Sequence, residues 1–458
     1  MGNPVPLWQS AHRHTGLGQS GLLQSGLLQS GLLQSGLLQS GLLQSGLRFV
    51  SLLMLVTCFF SCQNSQEKGT IVRFPKFSEP VQITSGPSEH LFASYYGINS
   101  WSANQRYATV LETDVRFRIP TENDTATLGL VDMESLEFIP VARTTAWNFQ
   151  QGCMAHWLST SPDSMIIYND QVDGKFVSVI LNVFTREKKI IPYPVSAVSP
   201  NGKEAVSINF ARLRITRADY GYGGNGQDPK TGETFPDEDG IFLVNLESGE
   251  ATLLVSLEQI RHQVPVLEGD VMEYFNHTLF SRDGSRIFWL ARAHKLWNTT
   301  AFTVERDGTN LQRCFPDDWG GSHFDWLDSE NLMVTAKYRG EGYGHILFTV
   351  GDRNFKRVGN GLLDFDGHGT FSPDGRWMVT DTYPADGSHE QKLFLMDMAS
   401  EAVLSMGRFV EPPEFTGGWR CDLHPRWSPD GRLLGINSTF TGSRQVYVLR
   451  TESGLNQN

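Results

Sequence analysis

Short apolar runs separated by polar turns recur along most of the chain. Examples are residues 107–112, 286–291, 332–336 and 377–382, which are rich in β-branched and aromatic side chains and therefore favour β-strands. No long stretch has apolar positions spaced at the period of about 3.6 residues that an amphipathic helix requires. The pattern predicts an all-β fold made of many short strands.

The turns that precede these strands share one form. The clearest copies read Ser-Pro-Asp-Gly at residues 372–375 and 428–431, where Pro presets φ, Asp offers a side-chain acceptor and Gly can take a positive φ. Aligned on this unit, the chain contains seven copies, which begin at Ser102, Ser161, Ser199, Ser281, Leu327, Ser372 and Ser428. The intervals between their starts are 59, 38, 82, 46, 45 and 56 residues.

A four-stranded unit that repeats about every 40–50 residues is typical of a β-propeller blade. Seven turns therefore predict a seven-bladed β-propeller over residues 71–458, with four strands in each blade. The last copy leaves room for only three strands, so we expect an N-terminal strand at 71–74 or 81–84 to complete it and close the ring. The longest interval contains a Gly- and Tyr-rich stretch at 219–224, which we interpret as part of an inserted loop.

The first 70 residues do not fit this repeat. Residues 1–46 contain a Gly-Leu-Leu-Gln-Ser pentad repeat, whose period of five matches neither a helix nor a strand; we interpret it as low-complexity sequence from an over-extended start. Residues 47–61, in which Arg48 precedes an apolar run, are typical of a signal peptide. Cys62 follows directly and resembles the lipidated first residue of a bacterial lipoprotein, with 62–70 as its tether.

Cys58 is an alternative lipidation site, and plain secretion or a membrane span are alternatives to lipidation. The favoured interpretation is an exported monomer that is anchored to the bacterial cell envelope, in the periplasm or at the outer membrane, and touches the membrane only through its lipid.

Composition narrows the range of ligands. The formal net charge of −12 argues against nucleic acid, and it requires any anionic ligand to be held by a local basic pocket. The three cysteines outside the leader, Cys153, Cys314 and Cys421, are too few and too widely spaced for a disulfide framework, so we expect buried thiols.

Histidines recur at one place in the repeat. His277, His368 and His424 lie six residues before the Asp of their turns, His323 lies five before Asp328, and His156 lies seven before Asp163. The strand before the turn is the innermost of a blade, so these residues should line the central channel. Four of the five belong to consecutive blades, and their imidazoles should converge on the channel axis.

Converging imidazoles favour a transition metal such as zinc or manganese, and calcium is a further possibility. The neighbours Asn276, Asp366, Cys421 and Asp422 could complete or orient such a site. The alternative is that the four histidines only fill the channel and hydrogen-bond to the backbone.

The repeated Ser-Pro-Asp-Gly turn resembles that of TolB-type propellers. The motifs around the histidines resemble those of propeller polysaccharide lyases of the oligogalacturonate-lyase and ulvan-lyase types: Asn276-His277, Ser322-His323-Phe324-Asp325-Trp326, Asp366-Gly367-His368 and Cys421-Asp422-Leu423-His424-Pro425-Arg426-Trp427. The first type implies a manganese among axial histidines. The second implies a structural metal, with His, Tyr and Arg side chains carrying out an elimination.

Elimination from a uronate requires a cation to neutralise the C5 carboxylate, a base for the C5 proton and an acid for the departing O4. His156 is a candidate base, Tyr220 or Tyr222 a candidate acid or base, and Arg212, Arg214 and Arg217 are candidates for binding carboxylate or sulfate. Alternatively, the tyrosines pack on the rim of the propeller, and Arg212 and Arg214 face solvent from a strand. The chain departs from the ulvan-lyase pattern, because 169–176 lack a second His and 237–239 are acidic where an Arg is expected.

The sequence therefore predicts an exported polysaccharide-lyase-like propeller that acts on uronate-containing oligosaccharides. One alternative is a non-catalytic TolB-like propeller that binds glycan or an envelope protein, and another is a metal-dependent hydrolase.

Overall fold

The computed structural model describes residues 72–223, 228–264, 273–293, 299–315, 321–337, 341–352, 354–384 and 387–451. All the described residues belong to one compact unit of the chain, Thr70–Asn458. The predicted signal peptide and the lipidation site at Cys62 lie outside the described residues. Among the helices that are described, none is long and apolar enough to cross a membrane.

The described strands form seven antiparallel sheets of four strands each. In chain order the strands are β1 (Val81–Gln82), β2 (Glu89–Phe92), β3 (Tyr107–Thr113), β4 (Ala126–Asp132), β5 (Phe138–Thr144), β6 (His156–Trp157), β7 (Met165–Val172), β8 (Lys175–Asn182), β9 (Lys188–Ile191), β10 (Ala197–Val198), β11 (Glu204–Ser207), β12 (Gly240–Asn245), β13 (Ala251–Ser256), β14 (Glu273–Phe280), β15 (Arg286–Ala293), β16 (Thr299–Glu305), β17 (Gln312–Arg313), β18 (Gly321–Trp326), β19 (Asn331–Lys337), β20 (Tyr343–Thr349), β21 (Phe355–Val358), β22 (Thr370–Phe371), β23 (Trp377–Asp381), β24 (Glu390–Asp397), β25 (Val403–Val410), β26 (Arg426–Trp427), β27 (Leu433–Ser438) and β28 (Gln445–Arg450).

Blades 1 to 6 take four consecutive strands each, from β2–β5 to β22–β25, and blade 7 consists of β26, β27, β28 and β1. The predicted seven-bladed propeller is therefore confirmed. Two short α-helices, α1 (Phe210–Thr216) and α2 (Leu257–Ile260), and one 3₁₀ turn (Gly417–Trp419) complete the regular structure of the described residues.

The predicted turn joins the first two strands of a blade through a fixed set of hydrogen bonds. In blade 7 the Ser428 hydroxyl donates to Asp430 Oδ1 at 2.8 Å and accepts from Leu433 N at 2.9 Å. Gly431 takes the positive φ of 70° that the turn requires. The same Ser–Asp contact occurs in blades 4 and 6, so the sequence repeat corresponds to a repeated hydrogen-bond pattern.

The ring closes through β1, as predicted for 81–84. Val81 pairs with Val448 on β28, and just beyond β1 the Thr84 hydroxyl donates to Gln445 Oε1 at 2.7 Å in a buried position. The apolar core lies mainly between neighbouring blades. For example, Trp377 of blade 6 packs in one cluster with Trp427 of blade 7.

Blade 1 departs from the regular ladder in a way that the sequence did not indicate. Ala93 N donates to Thr109 O and Thr109 N donates to Ser100 O, so residues 94–99 leave the ladder opposite a single residue of β3. This six-residue segment, which we call the axial excursion, carries Tyr95 and Tyr96 into the channel.

The insertion in blade 3 forms a helix where the sequence suggested a strand. Asn209 caps α1 by accepting a hydrogen bond from Arg212 N. The Arg212 guanidinium is buried, pairs with Asp228 at 3.1 Å and donates to backbone carbonyls of the insertion. The interpretation of Arg212 and Arg214 as the solvent face of a strand is therefore wrong.

Candidate functional site on the channel axis

One position of the innermost strand supplies the axial side chains. It lies four residues before the residue that opens the turn, and in blades 2 to 7 it is occupied by Met154, Val195, His277, His323, His368 and His424. His277 and His424 have left-handed backbones, with φ of 53° and 49°. Such φ values are uncommon for residues other than glycine, and they persist where surrounding contacts hold them.

His156 does not occupy this position. The first turn residue of a blade donates its N–H to the carbonyl that follows the turn, and in blade 2 this donor is Leu158 instead of Ser161. Counting back from Leu158 gives Met154, which also has a positive φ of 52°. The alignment of blade 2 on Ser161 was therefore shifted, and His156 lies two residues nearer the turn end of the channel.

Three of the four predicted axial histidines form a tight cluster. The ring centroids of His323 and His368 are 4.0 Å apart, and those of His368 and His424 are 4.3 Å apart. The Nε2 atoms of His368 and His424 are separated by 3.2 Å. His277 lies further out, with its centroid 6.5 Å from that of His323.

A half-buried carboxylate and a fully buried one orient two of these rings. Asp366 Oδ1 lies 3.0 Å from His323 Nδ1, and Asp381 Oδ1 lies 2.9 Å from His368 Nδ1. Asp381 also accepts from the backbone N–H groups of His368 and His424, so we assign Nδ1 of both rings as the donor. Each Nε2 then carries a lone pair that points toward the cluster.

Burial keeps these imidazoles neutral. It lowers the pKa of His368 to about 4 and lowers the pKa of His323, His277 and His424. Burial also acts to raise the pKa of Asp366, but its electrostatic interaction and hydrogen bond with the His323 ring and its hydrogen bond from the Thr335 hydroxyl outweigh burial and bring that pKa to about 2. At neutral pH the His323–Asp366 pair therefore combines a neutral ring with an ionised carboxylate.

His368, Asp422 and His424 could hold a metal ion. One ligand atom from each lies within 4.8 Å of the others. Asp422 Oδ1 is buried and has no hydrogen-bond partner, and Asp422 Oδ2 lies 3.6 Å from His424 Nε2. Two neutral imidazoles and an unpartnered carboxylate oxygen fit a divalent transition metal. His323 and His277, predicted as ligands, lie outside this group.

Tyr383 joins the cluster although nothing in the sequence marked it. Its hydroxyl lies 3.3 Å from His323 Nε2 and 3.4 Å from His368 Nε2. The residue follows β23 and is partly exposed. It is therefore the cluster member that a ligand at this mouth of the channel would meet first.

Arg420 supplies a cation beside this candidate metal site. Its Nε donates to Asp422 Oδ2 at 2.8 Å, and its Nη2 donates to the Tyr220 hydroxyl at 3.1 Å. The Tyr220 ring packs edge-on against His277 at 5.5 Å, and Arg217 lies over that ring at 5.1 Å. The structure thus brings the predicted Tyr220 and Arg217 to the site, and adds Arg420, which sequence reasoning missed.

The other candidate catalytic residues make contacts elsewhere. The Tyr222 ring stacks on Phe210 at 4.4 Å, and its hydroxyl accepts from Asn169 at 2.8 Å. Arg214 donates to the carbonyls of Pro120 and Ala218 at 3.0 and 2.7 Å. These contacts hold the insertion against blades 1 and 2.

His156 and Cys421 also make no contact that would give them a role in the histidine cluster. His156 Nδ1 faces Met154 O at 2.7 Å, and its side chain lines a cavity of about 450 Å³ at the turn end of the channel. Cys421 is buried, and burial raises the pKa of its thiol to about 12. A neutral thiol of this kind is a poor nucleophile and a poor metal ligand.

The axial excursion separates the cluster from that cavity. Tyr95 stacks on His277 with centroids 5.0 Å apart, and Tyr96 packs edge-on against His368 at 5.1 Å. The Tyr96 hydroxyl accepts from Phe324 N at 2.8 Å and donates to Phe324 O at 3.1 Å. The two tyrosines form the floor on which the histidines rest.

No family model matches the sequence, and no curated protein matches it at a significant level. Among solved structures, an oligogalacturonate lyase from Vibrio parahaemolyticus is similar with a TM-score of 0.58 and 13% identity, over 82% of this chain and 97% of that chain. An oligogalacturonate lyase in complex with manganese has a TM-score of 0.60 and 14% identity, over 83% and 96%. TolB from Acinetobacter baumannii reaches a TM-score of only 0.37 at 16% identity, over 73% and 79%.

The predicted resemblance to oligogalacturonate-lyase propellers is thus confirmed at the level of the fold. At these identities the likeness concerns the fold alone, and the TolB score is too low to bear on function.

Proposed function

We propose that the protein is a propeller polysaccharide lyase that cleaves uronate-containing oligosaccharides by β-elimination. The observation that carries this proposal is the axial cluster, in which the oriented Nε2 of His323 and the hydroxyl of Tyr383 lie beside the group formed by His368, Asp422 and His424. The cluster places a base, a hydroxyl and a cation-binding group within contact of one another.

The base and the cation that the elimination requires have candidate side chains. His323 is the base, because Asp366 holds its Nδ1–H and leaves the lone pair of Nε2, which now faces the Tyr383 and Ser322 hydroxyls at 3.3 Å each, to accept the C5 proton. Arg420 lies beside Asp422 and can bind the uronate carboxylate. A divalent metal held by His368, Asp422 and His424, manganese or zinc, would add positive charge that makes the C5 proton more acidic.

This assignment changes several of the roles predicted from the sequence. His323 becomes a base where it was predicted as a metal ligand, since its ring nitrogen lies outside the metal-binding group. Tyr220 and Arg217 stay near the site as substrate-binding candidates, whereas the contacts of Tyr222, Arg214 and His156 favour structural roles.

The expected location follows from the leader. Arg48, the apolar run of 49–60 and Cys62 support export and lipid anchoring in the bacterial envelope, where a lyase would meet acidic glycans. The net charge of −12 makes local cations such as Arg420 necessary for an anionic substrate.

The test is an absorbance assay with purified protein and a panel of pectic and ulvan-type oligosaccharides, with Mn²⁺ or Zn²⁺ supplied. A lyase releases an unsaturated product and the ultraviolet absorbance rises. No rise with any uronate polymer would overturn the proposal. In parallel, elemental analysis should find a divalent metal that is lost in His368→Ala and retained in the exposed control His262→Ala.

Burial favours a second candidate function. The exposed fractions of His323, His368 and His424 are 2%, 1% and 2%, so a sugar ring reaches them only if the mouth rearranges. A non-catalytic propeller that binds glycan or an envelope protein is consistent with a buried cluster that only braces the ring. Such a protein would bind oligosaccharide without turnover, and His323→Ala would leave that affinity unchanged.

A further inference from the structure

The contact between His323 and Tyr383 constrains which uronate the proposed site can cleave. In an elimination the base removes the proton on C5 and the acid protonates O4 on the adjacent carbon. In glucuronate and mannuronate these two groups lie on the same face of the ring. In galacturonate and iduronate they lie on opposite faces, so acid and base must stand on opposite sides of the sugar.

His323 Nε2 and the Tyr383 hydroxyl are 3.3 Å apart, so both approach a bound ring from the same side. The other tyrosine hydroxyl at this mouth, that of Tyr220, is bonded to Arg420, and its ring contacts His277. Of these two hydroxyls, that of Tyr383 contacts the proposed base, His323, and that of Tyr220 contacts the proposed substrate-binding cation, Arg420.

We propose that Tyr383 is the general acid of this site and that the substrate is a uronate whose C5 proton and O4 lie on one face, as in glucuronate. This inference rests on the proposed lyase function and specifies its substrate class. It also adds a catalytic residue that the sequence did not indicate.

The step balances within the two side chains. His323 Nε2 takes the C5 proton, and the electron pair of the C5–H bond becomes the C4–C5 π bond. The C4–O4 bond breaks with its electrons going to O4, which takes the phenolic proton of Tyr383. The Tyr383 oxygen then regains a proton from His323 across the 3.3 Å contact, and no water or other co-reactant is consumed.

Partial exposure of Tyr383 and the fixed orientation of His323 fit these roles. Asp366 also accepts from the Thr335 hydroxyl at 2.7 Å, so the carboxylate that orients the base is itself held in place. Tyr383 has only the two imidazoles as hydrogen-bond partners at its hydroxyl among the described residues. Its proton can therefore pass between base and leaving group without breaking a bond to the rest of the fold.

The experiment compares matched glucuronate and galacturonate oligosaccharides with the full chain and Mn²⁺. We expect elimination from glucuronate to be at least tenfold faster. Cleavage of galacturonate alone would overturn the same-face assignment while leaving the lyase function intact. Cleavage of neither would overturn both, which distinguishes the two failures.

A leaving-group test identifies the acid. Tyr383→Phe should lower kcat by about 10²- to 10⁴-fold with a sugar leaving group. A substrate with an aryl group on O4 needs no acid, so it should restore the rate of Tyr383→Phe to within about tenfold of the unmodified protein. His323→Gln should stay inactive on both substrates.

Tyr343→Phe is the matched control, because Tyr343 begins β20 in blade 5 and is also partly exposed; the rate of this variant should not change. Failure of the aryl substrate to rescue Tyr383→Phe would overturn the assignment of Tyr383, as would rescue seen in Tyr220→Phe instead.

Discussion

The proposed base, His323, depends on a carboxylate that orients its ring. Asp366 holds the proton of His323 on Nδ1, and without that contact the ring can turn and the proton can move to Nε2. We predict that Asp366→Ala lowers kcat for elimination by about 10- to 100-fold with little change in KM, since an orienting partner of this kind is typically worth that factor.

Steady-state kinetics of Asp366→Ala measure this effect. Asp364→Ala is the control, because Asp364 lies two residues away, is exposed and pairs with Arg357 at 2.8 Å. An equal loss in both variants, or a rise in KM alone, would show that Asp366 does not act through the orientation of His323.

His345 gives a residue-level account of acid sensitivity. The ring is fully buried between Leu363 O at 3.0 Å and the Thr380 hydroxyl at 2.9 Å, and burial lowers its pKa to about 4. In the unfolded chain the pKa of histidine is about 6.5, so between these values only the unfolded state takes up the proton. The free energy of unfolding should therefore fall as the pH drops from about 6.5 to about 4.

Urea unfolding across this pH range tests the contribution of one ring. His345→Gln should reduce the slope by up to about 1.4 kcal/mol per pH unit, and the exposed control His262→Gln should not. An unchanged slope in His345→Gln would mean that this ring is not neutral in the folded protein.

At the residue scale, the sequence located part of the site and not the rest. The regular register of His323, His368 and His424 before their turns was visible in the sequence, and the structure clusters these three. Tyr383 and Arg420 had no comparable signal, because each reaches the axis through the course of a connecting segment. His156 was misplaced since the turn of blade 2 is longer than its Ser-Pro-Asp motif suggests.

Among the elements, the axial excursion depends on one buried cation. Arg426 is fully buried, and its Nη1 donates to Ser94 O at 3.0 Å, to the Ser94 hydroxyl at 3.0 Å and to the Ser100 hydroxyl at 3.1 Å. Burial lowers the pKa of Arg426 to about 9, which means that burial disfavours the charged guanidinium. The three acceptors offset part of this desolvation cost. Arg426 thus ties together the two ends of the excursion.

We predict that replacing both acceptor hydroxyls, Ser94→Ala with Ser100→Ala, destabilises the protein by about 1–3 kcal/mol per lost partner. Hydrogen exchange of residues 94–99 should rise more than that of the blades. The control is Ser178→Ala, which removes a hydroxyl that donates to Tyr193 O in blade 2. If Ser178→Ala raised hydrogen exchange at 94–99 equally, the hydrogen bonds of Arg426 would not be what holds the excursion in place.

The axial excursion and the helix α1 are two elements that could not be predicted from the sequence. The strands and turns repeat, so each blade supports the interpretation of the next. The excursion occurs once, so no other blade supports its prediction. The helix has only seven residues, and it is stabilised by the cap of Asn209 and by the contacts of Arg212, which depend on distant parts of the insertion.

For the whole molecule, the number of blades could be predicted from the seven repeated turns. Closure of the ring could be predicted because an open propeller would leave unpaired strand edges. The last of the seven copies has room for only three strands, which required an N-terminal strand, and the structure pairs β1 with β28. Which neighbouring side chains pack between blades could not be predicted in this way, since those contacts depend on the spatial neighbours and not on the repeat.

Closure of the ring through β1 should stabilise the whole propeller. Val446 and Val448 of β28 are fully buried, and Ile83 and Thr84 cover this edge, where Val446 N donates to the Thr84 hydroxyl at 3.0 Å. A variant that lacks residues 2–86 should expose the edge, unfold several degrees lower and associate through β28, whereas a variant that lacks only residues 2–70 should behave as the full chain. Thermal unfolding measures the melting temperature and light scattering measures the association. A peptide of residues 72–86, added to the variant that lacks residues 2–86, should restore its melting temperature by pairing with β28. Equal melting temperatures and equal masses for the two variants would show that the ring holds without this strand.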